Sequence, residues 1–487
     1  MNIRTRFAPS PTGYVHIGNI RAALFPYLLA KQNHGTFVLR IEDTDQNRYV
    51  ADAEQVLLDT LKWLGLNWDE GVEVGGPFGP YRQTERREHY LKWAQKLIDK
   101  GLAYADPYTP EQVQQFREEA QANKQAFLYR NYRPENPPEW HLGLPLRFKQ
   151  TKIERKHFHD EIMGDLEAGA ETLDDFVLIK ADGLPTYNFA HVVDDFEMEI
   201  THLTRGVEYI SSMGNYLALY EALEITPPVF VHMPHIMAPT GNKKLGKRDG
   251  AKSVQEYRAE GFLPEAILNF LVMLGWNDGT TTDIFSLDDM IAKFDLTRVQ
   301  RAGARFDEKR LLWLNGQWLR RLDIAKLFEY ARNSANPADY SNSFWGEHGR
   351  IASDERRLEV LAAVQERLKT LADLPALTEY FFAAPQIDLT QITENKFLAS
   401  FAPAKLVELL EIAISALETT DWNADALQNT LNDLLARTAT KPAELFSLLR
   451  IAVSFAPFSP ELPRTLAVLG KDETISRLKK VMDTLAK

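Results

Sequence analysis

The sequence predicts an α/β protein: a doubly wound parallel sheet carrying an α/β insertion, followed by an all-α C-terminal half. Three observations point there. The N-terminal stretch reads strand, helix, strand, helix. Two loops of phosphate-binding type follow strand-like runs far apart in the chain. The last ~165 residues keep helical periods and show no convincing strand.

In order, Asn2 to Phe7 alternates, with Ile3, Thr5 and Phe7 on one side, and predicts a strand. Pro9, Pro11 and Gly13 turn the chain into a loop. Ile20, Ala23, Leu24, Tyr27 and Leu28 then fall on one helical face, and Gly35 is the expected stop. Phe37 to Ile41 is a second β-prone run. Ala53, Val56, Leu57, Leu61 and Leu64 predict another helix, with Gly65 placed as its left-handed cap. From about Tyr81 to Pro185 the texture changes: a polar helix near Glu111 to Lys124 precedes the stiff connector Arg133-Pro134-Glu135-Asn136-Pro137-Pro138. This stretch reads as an insertion. Alternating apolar runs return at Phe189 to Val193 and Met198 to His202, and an apolar run at Val229 to His232 leads into the loop Pro239-Thr240-Gly241-Asn242. Ser253 with Glu256 forms a capping box, and Pro264 opens a helix bearing Ile267, Phe270, Leu271 and Leu274.

Composition narrows the function. The 487 residues include no cysteine, which excludes disulfides, thiolate metal sites and cysteine nucleophiles. No signal-peptide pattern or membrane-length apolar run is present, so a cytoplasmic protein without membrane contact is expected. The net charge of −12 argues against non-specific polyanion coating. It leaves room for nucleic acid recognised by a local basic surface.

The chemistry concentrates in two loops. Ala8 to Asn19 lies between the first strand and first helix, where backbone N–H groups and the helix dipole favour phosphate. Gly18 allows close approach to the backbone, and His16 can donate to a phosphoryl oxygen as charge develops. Residues 241–258 carry six basic side chains against two acidic ones, centred on Lys243-Lys244-Leu245-Gly246-Lys247-Arg248. Alone, the first is read as a capped turn and the second as a solvated loop. Two such loops on one sheet are what adenylyl transfer from ATP requires.

At these residues the chain resembles the class I aminoacyl-tRNA synthetases, and closely the bacterial-type glutamyl-tRNA synthetases. His16-Ile17-Gly18-Asn19 is similar to their HIGH signature, and Lys244-Leu245-Gly246-Lys247-Arg248 to their KMSKS signature, with Gly246 in place of serine. Arg6 to Gly13, Leu39 to Asp45, Leu184 to Phe189, Val192 to Asp195, Thr204 to Gly206 and Gly261 to Ala266 add the subfamily's marks.

The resemblance implies a Rossmann-type catalytic domain and a ligase that charges tRNA with glutamate for protein synthesis. His16 and Lys247 would be catalytic. His16, Gly18, Asn19, Lys244, Leu245, Lys247 and Arg248 would bind ATP. Arg6, Ala8, Ser10, Glu42, Tyr187, His191 and Arg205 would line the glutamate pocket, His191 at a position that varies in the family. Asp45 and Arg367 would meet tRNA. The physics agrees for the pocket: a dicarboxylate calls for cationic forks, and a carboxylate can hold its ammonium.

The expected domains are 1–80 and 186–252 for the catalytic halves, 81–185 for the acceptor-end insertion, 253–322 for a helical stem-contact domain and 323–487 for an all-α anticodon domain. Expected partners are ATP, L-glutamate and the glutamate tRNA, with the glutamine tRNA as a second candidate and a monomer as the oligomeric state. Mg2+ is expected to arrive with ATP. Glu42, Asp43, Asp45, Asp194 and Asp195 are read as caps or solvated groups, not a metal cluster. Some relatives hold zinc in the insertion; Ala105-Asp106-Pro107-Tyr108 here offers no Cys/His set, so no zinc is expected. Among rivals, a glutaminyl-tRNA synthetase would carry β-barrels after the catalytic domain, and small nucleotidylyltransferases would not explain the helical half.

Overall fold

A computed structural model of the chain describes residues 2–246, 252–333, 339–456 and 459–487. It divides into two compact units. Unit one is Met1–Glu256 with Ile267–Asp307, and unit two is Tyr257–Ala266 with Glu308–Lys487. Among the described residues no helix is long and apolar enough to cross a membrane.

The first unit is built on a sheet of seven strands. These are β1 (Arg4–Phe7), β2 (Thr36–Leu39), β3 (Glu70–Gly71), β6 (Lys156–Asp160), β7 (Gly164–Ala168), β9 (His202–Gly206) and β10 (Val229–Met233). Their order is β3-β2-β1-β9-β10-β6-β7, parallel except for the β6–β7 hairpin. The chain thus runs outward one way through β1, β2 and β3 and the other way from β9. The point of reversal lies between β1 and β9, where doubly wound sheets open a crevice at their carboxyl ends. A second sheet of three antiparallel strands, β4 (Ala103–Ala105), β5 (Leu146–Phe148) and β8 (Val177–Ile179), belongs to the 81–185 stretch. That stretch also supplies β6 and β7 to the main sheet, a role its polar texture did not signal.

Helix α1 (Ile17–Gln32) is buried almost all round, from Ile20 through Ala30 apart from Ala22. It therefore sits between layers and is not an amphipathic surface helix. At its end the left-handed residue is His34, not Gly35. Gly35 is required for another reason: a Cβ there would stand 2.1 Å from the Ile3 carbonyl oxygen. Helix α2 (Ala53–Trp63) ends as expected, with Gly65 at φ +75°. In the insertion α3 (Arg87–Asp99) packs through Tyr90, Trp93, Ala94 and Leu97, whereas α4 (Pro110–Ala122), capped by Thr109, buries only Ala120. The alternating stretch Phe189 to Val193 is not a strand. It belongs to α5 (Tyr187–Glu197), which is buried on all sides from Phe189 to Asp195, so no helical stripe marks it. The following strand begins at His202. Ser253 and Glu256 make the capping box at the head of the helix Val254–Ala259.

The second unit is helical throughout its described residues, from Glu308–Arg321 to Lys471–Leu485. A continuous apolar core holds it, including Trp345, Val360, Leu409, Leu431, Leu448 and Leu478.

Candidate active site

Helix α1 begins at the carboxyl end of β1, so its free N–H groups face the crevice, and its first turn carries no acid to compete for them. His16 is its N-cap. The ring Nδ1 accepts from the Gly18 N–H at 3.1 Å, and the Asn19 side-chain oxygen accepts from the His16 N–H at 3.2 Å. With Nδ1 used as acceptor, the proton of the neutral ring is assigned to Nε2. Gly18 is tied to this cap, because a Cβ there would lie 2.9 Å from His16 Cε1.

Two cavities meet along α1. The larger, about 660 Å³, is lined by Arg6, Ala8, Ser10, Glu42, Tyr187 and Arg205 among others, with Asp45 also on its wall. The smaller, about 150 Å³, is lined by His16, Gly18, Arg21, His235, Lys244 and Leu245. Asn19, Ala22, Gly206 and Glu208 belong to both. The two groups of candidates, one read for the amino acid and one for the nucleotide, therefore occupy adjoining spaces. Lys244 is paired with Glu208 at 3.0 Å. Lys247 and Arg248 lie outside the described residues. Of the residues flanking them, Leu245 lines the smaller cavity and Ser253 bridges to His16. His191 is buried just behind the wall, its ring stacked on Tyr187 at 4.7 Å. Arg367 is not part of this site: it is exposed on the helical unit.

The acidic residues beneath the cavity depart from the surface role expected of them. Asp194 and Asp195 are fully buried. Asp195 meets Arg40 at 2.8 Å and Arg6 at 3.2 Å, and Asp194 meets Arg86 at 2.7 Å. Glu42 accepts from Arg40 at 3.0 Å. Asp43 accepts from the Thr84 N–H and hydroxyl instead of lying in solvent. Only Asp45, paired with Arg48, fits the solvated reading. Burial pushes the Asp195 carboxyl up, but Arg6 and Arg40 outweigh it and hold it at about 2. For Glu42 burial wins over Arg40 and Arg6, and its carboxyl is raised. A cation placed beside Glu42 would favour its charged form. Among the described residues no group of three His, Cys, Asp or Glu could hold a metal ion.

Arg205 closes the opposite wall. Its Nε donates to His232 Nε2 at 3.0 Å, and its Nη1 to His191 Nε2 at 3.2 Å. Tyr209 lies under it at 5.0 Å. Sequence reading missed His232, Asp160, Tyr209, Arg40 and Lys180. A lone histidine in the apolar run Val229–Met233 was the available signal for His232; Asp160 and Lys180 gave none.

Comparison with known proteins agrees with this geometry. Residues 2–313 match the family model of class I tRNA synthetases (E and Q), catalytic domain, and residues 326–482 match an anticodon binding domain. A glutamate–tRNA ligase of Clostridium tetani is 39% identical over 98% of this chain and 96% of its own length. One of Clostridium acetobutylicum is 39% identical over 100% and 99%. The crystal structure of a glutamate tRNA ligase from Elizabethkingia meningosepticum, in complex with its amino acid, superposes with a TM-score of 0.85 and 34% identity, covering both chains completely. With the reversed sheet, the capped His16 turn and the adjoining cavities, these matches lead to one conclusion: the chain belongs to the class I tRNA synthetases of the E and Q type.

Proposed function

We propose that the protein ligates L-glutamate to the 3′ end of its tRNA. The observation that carries the amino-acid choice is Arg205. It is a guanidinium 5% exposed, on the wall of the larger cavity, with no carboxylate in ion-pair reach among the described residues. A side-chain carboxylate supplies that missing partner; a neutral amide does not.

In the first step the glutamate α-carboxylate attacks the α-phosphorus of ATP, the bond to the bridging oxygen breaks, and pyrophosphate leaves. Glu42 holds the ammonium, while Arg6, Ser10, Tyr187 and Arg205 surround the rest of the amino acid. His16 Nε2 and Lys247 donate to the transferring phosphate, and Gly18, Asn19, Lys244, Leu245 and Arg248 complete the nucleotide side. Rate comes from positioning and charge stabilisation, with no covalent enzyme intermediate. In the second step the terminal adenosine hydroxyl attacks the glutamyl carbonyl, and AMP departs. Mg2+ would enter on the ATP phosphates and screen their charge. The one carboxylate shared by both cavities, Glu208, is already paired with Lys244, so no step is assigned to the ion.

The insertion 81–185 would guide the acceptor end and 253–322 the stem. Residues 323–487 would read the anticodon, with Arg367 facing its third base. Glutamate-dependent pyrophosphate exchange, run with and without tRNA, tests the reading. Exchange that needs glutamate and is stimulated by tRNA is expected. Exchange driven by glutamine instead would move the chain to the other half of its family.

A further inference from the structure

Arg205 is held unlike Arg6, Arg40 and Arg86. Its guanidinium meets His232 Nε2, His191 Nε2, the Met213 sulfur at 2.9 Å, and the faces of Tyr209 and Tyr216 at 5.0 and 4.8 Å. Each of these groups is neutral. His191 Nδ1 donates to the Tyr187 carbonyl at 2.8 Å, which leaves Nε2 as a lone-pair acceptor. Burial, aided by the charge of Arg205, lowers its pKa to about 3. His232 is fixed more firmly. Asp160, fully buried, takes the His232 backbone N–H at 2.9 Å and its Nδ1–H at 2.7 Å on one oxygen. Its other oxygen takes the N–H groups of Ile162 and Met163 at 3.0 and 2.8 Å. A carboxylate surrounded by four donors can only accept, so the His232 proton must sit on Nδ1 and the Nε2 lone pair must face Arg205.

We propose that His232, backed by Asp160, is a positioning residue that sets amino-acid specificity: it holds Arg205 without neutralising it and so reserves the full guanidinium charge for the side-chain carboxylate of glutamate. This rests on the functional reading above. A carboxylate at position 232 would hold the arginine as firmly and cancel its charge, and the cavity would then accept an amide as readily as an acid. The buried dyad gives Arg205 a fixed orientation with the negative charge of Asp160 kept one imidazole ring away.

The test is steady-state charging of the glutamate tRNA by the full-length protein, with glutamate and glutamine compared. His232→Gln keeps a neutral acceptor, and His232→Glu replaces it with a charged one. His232→Gln should keep the glutamate KM within about threefold. His232→Glu should raise it at least about tenfold, narrow the glutamate-to-glutamine preference by a similar factor, and leave the ATP KM within about twofold. Equal behaviour of the two variants, or glutamate and ATP KM rising together, would overturn the proposal. Should the glutamate variant not fold beside Asp160, His232→Leu removes the acceptor altogether: a raised glutamate KM at unchanged ATP KM supports the proposal, and an unchanged one refutes it. Wild-type protein that charges no glutamate would sink the functional reading itself. Active wild type with indifferent variants sinks only the role of His232.

Discussion

On the β1–β2 side of the larger cavity, Arg6 and Arg40 converge on Asp195 at 3.2 and 2.8 Å, and Arg40 also holds Glu42 at 3.0 Å. On the β9–β10 side, Arg205 converges on two histidine lone pairs at 3.0 and 3.2 Å. Both walls bury guanidinium groups, yet among the described residues only the first supplies their counter-charge. The difference separates structure from recognition. Paired buried ions rigidify the floor of the site and add little net attraction for a ligand. A cation held by neutral acceptors keeps a strong pull for an anion that arrives with the substrate.

The comparison breaks most visibly in stability. Asp195→Ala leaves two buried guanidinium groups short of their partner, and loss of one member of such a cluster costs ~3–5 kcal/mol. The denaturant midpoint should fall accordingly. A loss under ~1 kcal/mol would mean that the β1–β2 wall is no more ionic in its energetics than the other.

Acid separates two carboxyls within the β1–β2 wall, with opposite signs. The Asp195 carboxyl lies at about 2 in the folded chain, below the ~3.9 of an unfolded aspartate. Its stabilisation is therefore complete above that unfolded value and is lost as pH falls toward 2. Glu42 is raised, so its ionised form opposes folding at neutral pH and that cost is relieved on acidification. Acid titration of stability should be flatter in Asp195→Asn than in wild type between pH ~4 and ~2. The glutamate KM should begin to rise at a pH above the ordinary glutamate range, as Glu42 loses the charge that holds the ammonium. A KM independent of pH down to ~4 would remove Glu42 from the pocket.

The smallest effect belongs to the nucleotide loop. Gly246→Ser restores the family hydroxyl and should change pyrophosphate exchange less than about fivefold, the worth of one neutral hydrogen bond. The preference for glutamate over glutamine should not move. A change in that preference would mean that the loop, and not the charged walls, sorts the amino acid.

The sequence made the first unit legible where period and punctuation coincide: β1, α2 ending at Gly65, and the capping box at Ser253. The family resemblance, and not the residues' own pattern, assigned Arg6, Glu42, Tyr187 and Arg205 to one pocket, and all four line the larger cavity. Sequence reading failed where burial erases period. Helix α5 is apolar and acidic on every face, so Phe189 to Val193 resembled a strand, and Asp194 and Asp195 resembled solvated acids. Their partners, Arg40 and Arg86, lie far off in sequence, and long-range pairing of that kind leaves no local trace. Asp160 was invisible for the same reason: its value comes from His232, on a strand seventy-two positions later.

The central claim is that Arg205 selects an acid because no described residue around it cancels its charge. The most direct measurement is kcat/KM for glutamate and for glutamine in tRNA charging, by wild type and by Arg205→Ala. A charge-assisted hydrogen bond to carboxylate is worth ~1.5–3 kcal/mol, so the glutamate value should fall about 10–150-fold. The glutamine value should move by less than about threefold, since an amide never used the charge. Equal losses for both amino acids would contradict the account and leave Arg205 as a support of the fold.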